Sequence, residues 1–136
     1  MANYKIEDVE GIGPVLGEKF RSAGVKDTDA LLKSALTPGQ RKVLAEKTGL
    51  SEARVLKFAN MVDLYRINGV GSEYAELLEV SGVDTVPELA TRNAANLTQA
   101  MATVNREKKL TRQAPTETEV AKWIEQAKGL SKMLEH

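Results

Sequence analysis

The sequence has few of the side chains that most often carry out chemistry near neutral pH. It contains no Cys, and its one His, His136, is the last residue. Without Cys there can be no disulfide, thiolate nucleophile or cysteine metal site. Without an internal His, the most common general base and zinc ligand is missing as well. We therefore expect a protein that is not an enzyme and that has no cofactor and no bound metal.

Long apolar stretches are also lacking. No run approaches the ~18 residues that a membrane span needs, and the first residues lack the apolar core of a signal peptide. We therefore expect a cytoplasmic protein with no membrane contact. With 136 residues, 42% of them apolar, the chain can still bury the core of one compact domain or of two very small ones.

An excess of charge of either sign is absent too. The chain has 19 basic and 19 acidic side chains, and its pI of about 6.6 is well below the value of about 9 that is typical of dedicated nucleic-acid binders. The end of the chain, Leu134–His136, is similar to the remnant of a vector-encoded purification tail. Without that tail the acidic count falls to 18, the net charge becomes +1, and no His remains.

The most informative feature that is present is an internal repeat. Residues 9–25 recur as residues 67–83, so that Gly11 corresponds to Gly69 at an offset of 58. A second pair of segments, 51–62 and 116–127, matches at an offset of 65, which leaves seven more residues in the second copy. These matches predict two fused repeats, residues 1–66 and 67–133, followed by the tail at 134–136.

Helix signals are frequent along the chain, whereas the alternating pattern of a strand is absent. Thr37 with Gln40 has the spacing of a capping box, Pro38 suits the first helical position, and Gly49 is typical of a helix end. Thr85 with Glu88 and Thr116 with Glu119 have the spacing of capping boxes. The sequence therefore predicts an all-α fold of about ten short helices with no sheet.

The additional residues of the second copy predict a loop from Asn105 to Pro115, after a helix that begins near Asn93. The loop contains four basic residues, Arg106, Lys108, Lys109 and Arg112. Such a cluster is compatible with either a solvated loop or a binding patch.

Each glycine segment has the pattern of two helices joined by a tight turn. A hydrophobic residue between two glycines points to the core, a small residue one helical turn later allows close helix approach, and a large apolar residue then lies on the buried face. These positions are Ile12, Gly17 and Phe20 in the first copy and Val70, Ala75 and Leu78 in the second.

This pattern resembles the helix-hairpin-helix motif, with hairpins at Gly11–Gly13 and Gly69–Gly71. Nearly the whole chain, roughly Tyr4 to Leu130, is similar to an uncharacterised bacterial family of tandem helix-hairpin-helix proteins. The phrases Asp63–Gly71 and Trp123–Ala127 carry that similarity. Because the function of that family is not established, the resemblance implies a fold and little mechanism.

In nucleic-acid-binding proteins that the motif resembles, backbone N–H groups at the start of the second helix hold a phosphate oxygen. The resemblance therefore implies a nucleic-acid site in the first hairpin. Its residues are the backbone positions Gly11, Ile12, Gly13, Val15 and Leu16, together with the side chains of Lys19 and Arg21.

The second hairpin lacks this basic neighbourhood. Glu73, Glu76 and Glu79 recur at helical spacing with no base between them, and they would repel a phosphate backbone. The second hairpin, with Gly69, Val70, Gly71 and Ala75, is therefore predicted to be a structural copy or a protein-facing surface.

Two functions follow from these patterns. The first is weak, sequence-independent binding of a DNA or RNA backbone through the first hairpin. The second is a protein-interaction or scaffolding domain that has kept the fold without nucleic-acid binding. A continuous positive surface that joins Lys19 and Arg21 to Arg41, Lys42 or the basic loop would favour nucleic acid.

Overall fold

The computed structural model describes residues 3–136, and its regular elements are helical. Over that range there is a single isolated bridge, between Lys5 and Asp27, and no strand. A short 3₁₀ helix at Ile6–Asp8 precedes eight α-helices: α1 Gly13–Ser22, α2 Thr28–Lys33, α3 Pro38–Thr48, α4 Glu52–Leu64, α5 Ser72–Val80, α6 Val86–Ala90, α7 Ala94–Lys108 and α8 Glu117–Lys128. The predicted all-α class is confirmed.

The predicted count of about ten helices is wrong, because the residues before the hairpin glycines do not form separate α-helices. Before Gly11 the chain makes only the 3₁₀ turn, and before Gly69 it completes α4 and then bends. The 3₁₀ turn buries the side chain of Ile6 although only three residues form it.

The helices divide into two compact units. The first unit contains the described residues up to Asp63 together with Met133–His136, and the second contains Leu64–Lys132. In the first unit α1 packs against the 3₁₀ helix and α3, and in the second α8 packs against α6 and α7 while α5 packs against α7. Each hairpin helix, α1 or α5, therefore packs against a neighbouring element of its own unit.

Local capping explains most of the helix boundaries. Thr37 and Gln40 form the predicted capping box at the start of α3, and Gly49 ends that helix with a left-handed φ of 74°. Thr116 and Glu119 form the predicted box of α8. The box predicted at Thr85 is wrong, because the Glu88 carboxylate binds Arg92 at 2.7 Å instead of the backbone of Thr85.

The α7 helix begins as predicted and ends later than predicted. The Asn93 side chain accepts a hydrogen bond from the Asn96 N–H and caps its start. The helix then continues through Arg106 to Lys108, so the predicted loop start at Asn105 is wrong. Basic side chains in a last turn interact favourably with the helix dipole, which helps α7 to extend into the basic segment.

The large aromatic side chains of Phe20, Phe58 and Trp123 are buried. Phe20 and Phe58 meet edge to face in the first unit with ring centroids 6.2 Å apart. Trp123 is buried in the second unit and lies 5.2 Å from the ring of Tyr74. Pairs at these distances add about 1 kcal/mol beyond the burial of their area.

Two further observations concern residues 3–136 as a whole. No helix in that range is both long enough and apolar enough to cross a bilayer. Nor does that range bring together three or more His, Cys, Asp or Glu side chains in a position to hold a metal ion.

Candidate nucleic-acid interface

The first hairpin is a tight turn that depends on its glycines. The N–H of Ile12 donates to the carbonyl of Val9, and the N–H of Val9 donates to that of Ile6. Gly11 and Gly13 have φ values of 90° and 63°, a left-handed range that other residues rarely adopt. The Ile12 side chain is buried in the core and its N–H is already bonded. Ile12 therefore positions the turn and has no free donor for a ligand.

Close packing fixes the helix that follows this turn. A Cβ on Gly17 would lie 3.1 Å from the Cβ of Glu7, so the 3₁₀ helix and α1 approach each other at a position where only Gly fits easily. A Cβ on Gly11 would lie 3.4 Å from the ring of Phe58 in α4. The small-residue position of the motif thus has the role that its spacing predicts.

The second hairpin repeats the bonding of the first, 58 residues later. The N–H of Val70 donates to the carbonyl of Ile67, and the N–H of Ile67 donates to that of Leu64. Gly69 has a φ of 96°, whereas Gly71 has a φ of −106°, which any residue can adopt. A Cβ on Gly69 would lie 3.0 Å from Nε1 of Trp123, the α8 counterpart of Phe58.

The ends of α1 and α5 also match. In α1 the N–H of Val25 donates to the carbonyl of Phe20 and the N–H of Gly24 to that of Arg21. In α5 the same pair of bonds runs from Val83 to Leu78 and from Gly82 to Glu79. Both sets are Schellman motifs, in which a glycine with positive φ allows the chain to reverse.

The start of α1 is open to an anion. No side chain caps it, and the first-turn N–H groups have no acceptor within the helix. A Cβ on Gly13 would meet nothing within 4 Å. Val15 is exposed and Leu16 is half-buried, so the backbone of the first turn is accessible on the side of Val15. These are the geometric features that an anion requires at a helix N-terminus.

The charge around α1 is less favourable than the sequence suggests. Arg21 forms an ion pair with Glu7, and Asp8 and Glu10 are exposed just before the turn. From Glu7 to Arg21 the chain has four acidic and two basic side chains, a net charge of −2. The sequence-based prediction named only the two bases of this region, whereas three of its four acidic side chains lie before the turn. Lys19 is exposed and forms no ion pair with a described residue.

Arg41 cannot extend a positive surface from α1. It is only 4% exposed, and its guanidinium donates to the carbonyl of Ala35 at 2.8 Å and to that of Glu135 at 2.5 Å. Within the first unit, the Arg41 guanidinium therefore serves as the hydrogen-bond donor to two loop carbonyls. Lys42, the next residue, is exposed on α3.

The second hairpin is less acidic than its sequence suggests. Glu76 and Glu79 are half-buried, and neither is without a partner. Glu73 is exposed and lies at the edge of a cleft of about 650 Å³ that is also lined by Arg106, Lys109 and Arg112. Sequence reasoning placed these bases in a separate loop. The signal in the sequence was the clustering of four bases within residues 106–112.

Tyr74 connects the second hairpin to the same loop. Its hydroxyl donates to the carbonyl of Gln113 at 3.3 Å. Partial burial raises the pKa of Tyr74 above its ordinary value, and the negative charges of Glu119 and Glu73 raise it further. Tyr74 is therefore a neutral hydrogen-bond donor that attaches α5 to the loop, and it has no role as a base.

Comparison with known proteins identifies a family but no activity. Searches among curated proteins and among solved structures give no match. The family model for DUF4332, a domain of unknown function, matches residues 10–130, which include both hairpins and all but the ends of the chain. The predicted resemblance to an uncharacterised family is thereby confirmed. The chain belongs to the DUF4332 family.

Proposed function

We propose that this protein is a non-enzymatic, tandem helix-hairpin-helix module that binds the backbone of DNA weakly and without sequence preference through the start of α1. The observation that carries the proposal is the uncapped first turn of α1, presented by a turn whose two glycines have left-handed φ values. The pairs of turn and helix-end bonds that recur at an offset of 58 residues support the motif assignment.

The charges near α1 limit the expected affinity. Lys19 is the one basic side chain of α1 without an ion-pair partner among residues 3–136, since Arg21 pairs with Glu7. Neutralising one or two phosphates corresponds to a slope of about −1 to −2 in a plot of log affinity against log salt concentration. We therefore expect binding that is measurable only at low salt.

The test is a fluorescence-anisotropy titration of the whole chain with short duplex and single-stranded DNA over a salt series. Lys19→Gln should weaken binding uniformly across sequences and reduce the salt slope by about 1. Lys122→Gln is the matched control, because Lys122 lies beside Glu117 and Glu125 on α8. No binding near about 50 mM salt, or an equal loss in both variants, would contradict the proposal.

A second candidate function, protein interaction, is favoured by one observation. Val15 is 72% exposed on the first turn of α1, the largest exposed fraction among the exposed large hydrophobic side chains of the described chain. An exposed apolar residue beside acidic neighbours suits a protein partner better than a phosphate backbone. Val15→Asp should abolish a nuclease-resistant pull-down if the hairpin binds protein, and should leave that pull-down unchanged if it does not.

A further inference from the structure

The α7–α8 loop forms a basic cleft in the second unit, distinct from the start of α1. The cleft, of about 650 Å³, is lined by Glu73, Asn105, Leu110 and Thr111 and by three basic side chains, Arg106, Lys109 and Arg112. Its lining therefore has a net charge of +2. Its volume is in the range of sites that hold small ligands.

The basic side chains of the cleft have no counter-ion within the described chain. Arg106, Lys109 and Arg112 are exposed, and none of them forms an ion pair with another residue among 3–136. Glu73 is the one acidic residue in the lining. Proteins bind phosphate with several neighbouring cationic side chains that have no other counter-ion. Arg binds phosphate through two parallel N–H groups, whereas Lys acts as a point charge.

The loop that carries these side chains is held in one conformation by its own hydrogen bonds. The Asn105 side chain accepts from the N–H of Thr111 at 2.9 Å and donates to the carbonyl of Thr111 at 3.2 Å. The Thr111 hydroxyl donates to the carbonyl of Gln113 at 2.9 Å. Because the backbone is fixed in this way, ordering the loop adds little to the entropy cost of binding.

The end of α7 explains only part of this cluster. Arg106 and Lys108 lie in the last turn of α7, where a cation compensates the helix dipole. That effect does not require Arg112, which lies beyond the helix and lines the same cleft as Arg106. Lys109 is the C-cap residue of α7, and its left-handed φ of 52° is the conformation in which many helices end. Since α7 presents carbonyls at this end, an anion must be held by the side chains.

We infer that the second unit binds phosphate groups in this cleft through Arg106, Lys109 and Arg112. The phosphate can belong to a nucleic-acid strand or to a small phosphorylated molecule, and both present the same charged oxygens. The inference does not depend on the site at α1. Of the two interpretations that the sequence leaves open for the basic segment, a solvated loop and a binding patch, the inference takes the second.

The experiment is an amide NMR titration of the whole chain with inorganic pyrophosphate and, separately, with a short DNA duplex. Pyrophosphate should shift the amide signals of residues 105–112 in a saturable manner. Arg112→Gln should weaken that binding about tenfold, the equivalent of one charged hydrogen-bonded contact. Lys108→Gln is the matched control, because it removes the same charge from the same segment outside the cleft lining, and it should change the affinity less than about twofold.

The two titrations separate this inference from the proposed function. Shifts at residues 105–112 with duplex identify the source of the phosphate as nucleic acid, and shifts with pyrophosphate alone identify a small molecule. Duplex shifts confined to residues 13–19, with no effect of pyrophosphate, would uphold the site at α1 and overturn the cleft. The cleft is also refuted if neither probe moves residues 105–112, or if Lys108→Gln weakens binding as much as Arg112→Gln.

Discussion

Replacing Gly69 by Ala tests whether the second hairpin is held against Trp123 as closely as its geometry indicates. Gly69 and Gly82 belong to the same unit and have nearly the same φ, 96° and 97°. A Cβ on Gly69 would lie 3.0 Å from the indole nitrogen, whereas a Cβ on Gly82 would lie 3.5 Å from the flexible end of Arg92. Comparing the two Ala variants therefore cancels the backbone strain and leaves the contact with Trp123.

Backbone strain and the contact with the Trp123 ring set the expected losses of stability. Placing Ala in a left-handed conformation costs about 1–2 kcal/mol, and this cost applies to both variants. Forcing an additional methyl group against a packed ring adds about 1–3 kcal/mol, and this cost applies to Gly69→Ala alone. We therefore expect a loss of about 1–2 kcal/mol in the free energy of unfolding for Gly82→Ala and about 2–5 kcal/mol for Gly69→Ala.

Urea unfolding followed by tryptophan fluorescence measures both losses. Trp123 is the single Trp of the chain, so its emission reports on the unit that contains both glycines. The slope of the transition should stay constant, so that the midpoints report on stability alone. Equal losses in the two variants would refute the close approach. If the losses differ as expected, a double-mutant cycle of Gly69→Ala with Trp123→Phe should show a coupling of about 0.5–3 kcal/mol between the two positions. Circular dichroism follows unfolding in the variants that lack the Trp.

Three further predictions concern the caps, a buried charge and pH. Thr116→Ala should lower the free energy of unfolding by about 1 kcal/mol through loss of the α8 capping box, whereas Thr118→Ala, exposed in the same first turn, should be neutral or slightly stabilising in the same urea experiment. Arg41→Met should lower the free energy of unfolding by about 2 kcal/mol, because it leaves the carbonyls of Ala35 and Glu135 without their charged donor. A melting temperature equal to that of the original protein would contradict this role of Arg41. The N–H of Ala30 donates to the Asp27 carboxylate and lowers the pKa of Asp27 below its ordinary value of 3.8. The charged carboxylate should therefore stabilise the fold at pH values above 3.8, and this stabilisation should be lost as the pH falls through the lowered pKa. Asp27→Asn should therefore be less stable than the original protein at pH 7 and equally stable in strong acid, as measured by urea midpoints across pH.

Local features of the fold could be read from the sequence because they depend on residues close in the chain. The boxes at Thr37 and Thr116 and the left-handed Gly49 each need only a few neighbouring residues. The box expected at Thr85 failed because Arg92, four residues beyond Glu88, competes for the same carboxylate. A side chain that has two partners within reach cannot be assigned from spacing alone.

Charged sites were harder to predict because they depend on which distant side chains meet. The sequence placed Arg21 in the nucleic-acid site, yet Arg21 pairs with Glu7, fourteen residues earlier. In the sequence, Glu73 belongs to the second hairpin and Arg112 to the basic loop, although the two residues line one cleft. Sequence spacing identifies the charges of one helix face, whereas the net charge of a site depends on packing between elements.

The last residues of the chain affect how preparations of this protein can be compared. Leu134 is buried in the first unit, the N–H of Glu135 donates to the carbonyl of Leu36, and the Glu135 carbonyl accepts from Arg41. Part of the core of this unit is therefore formed by the last three residues of the chain. A preparation that ends before Leu134 would lose a buried apolar side chain and one partner of a buried charge. Preparations that differ at these residues should therefore differ in stability.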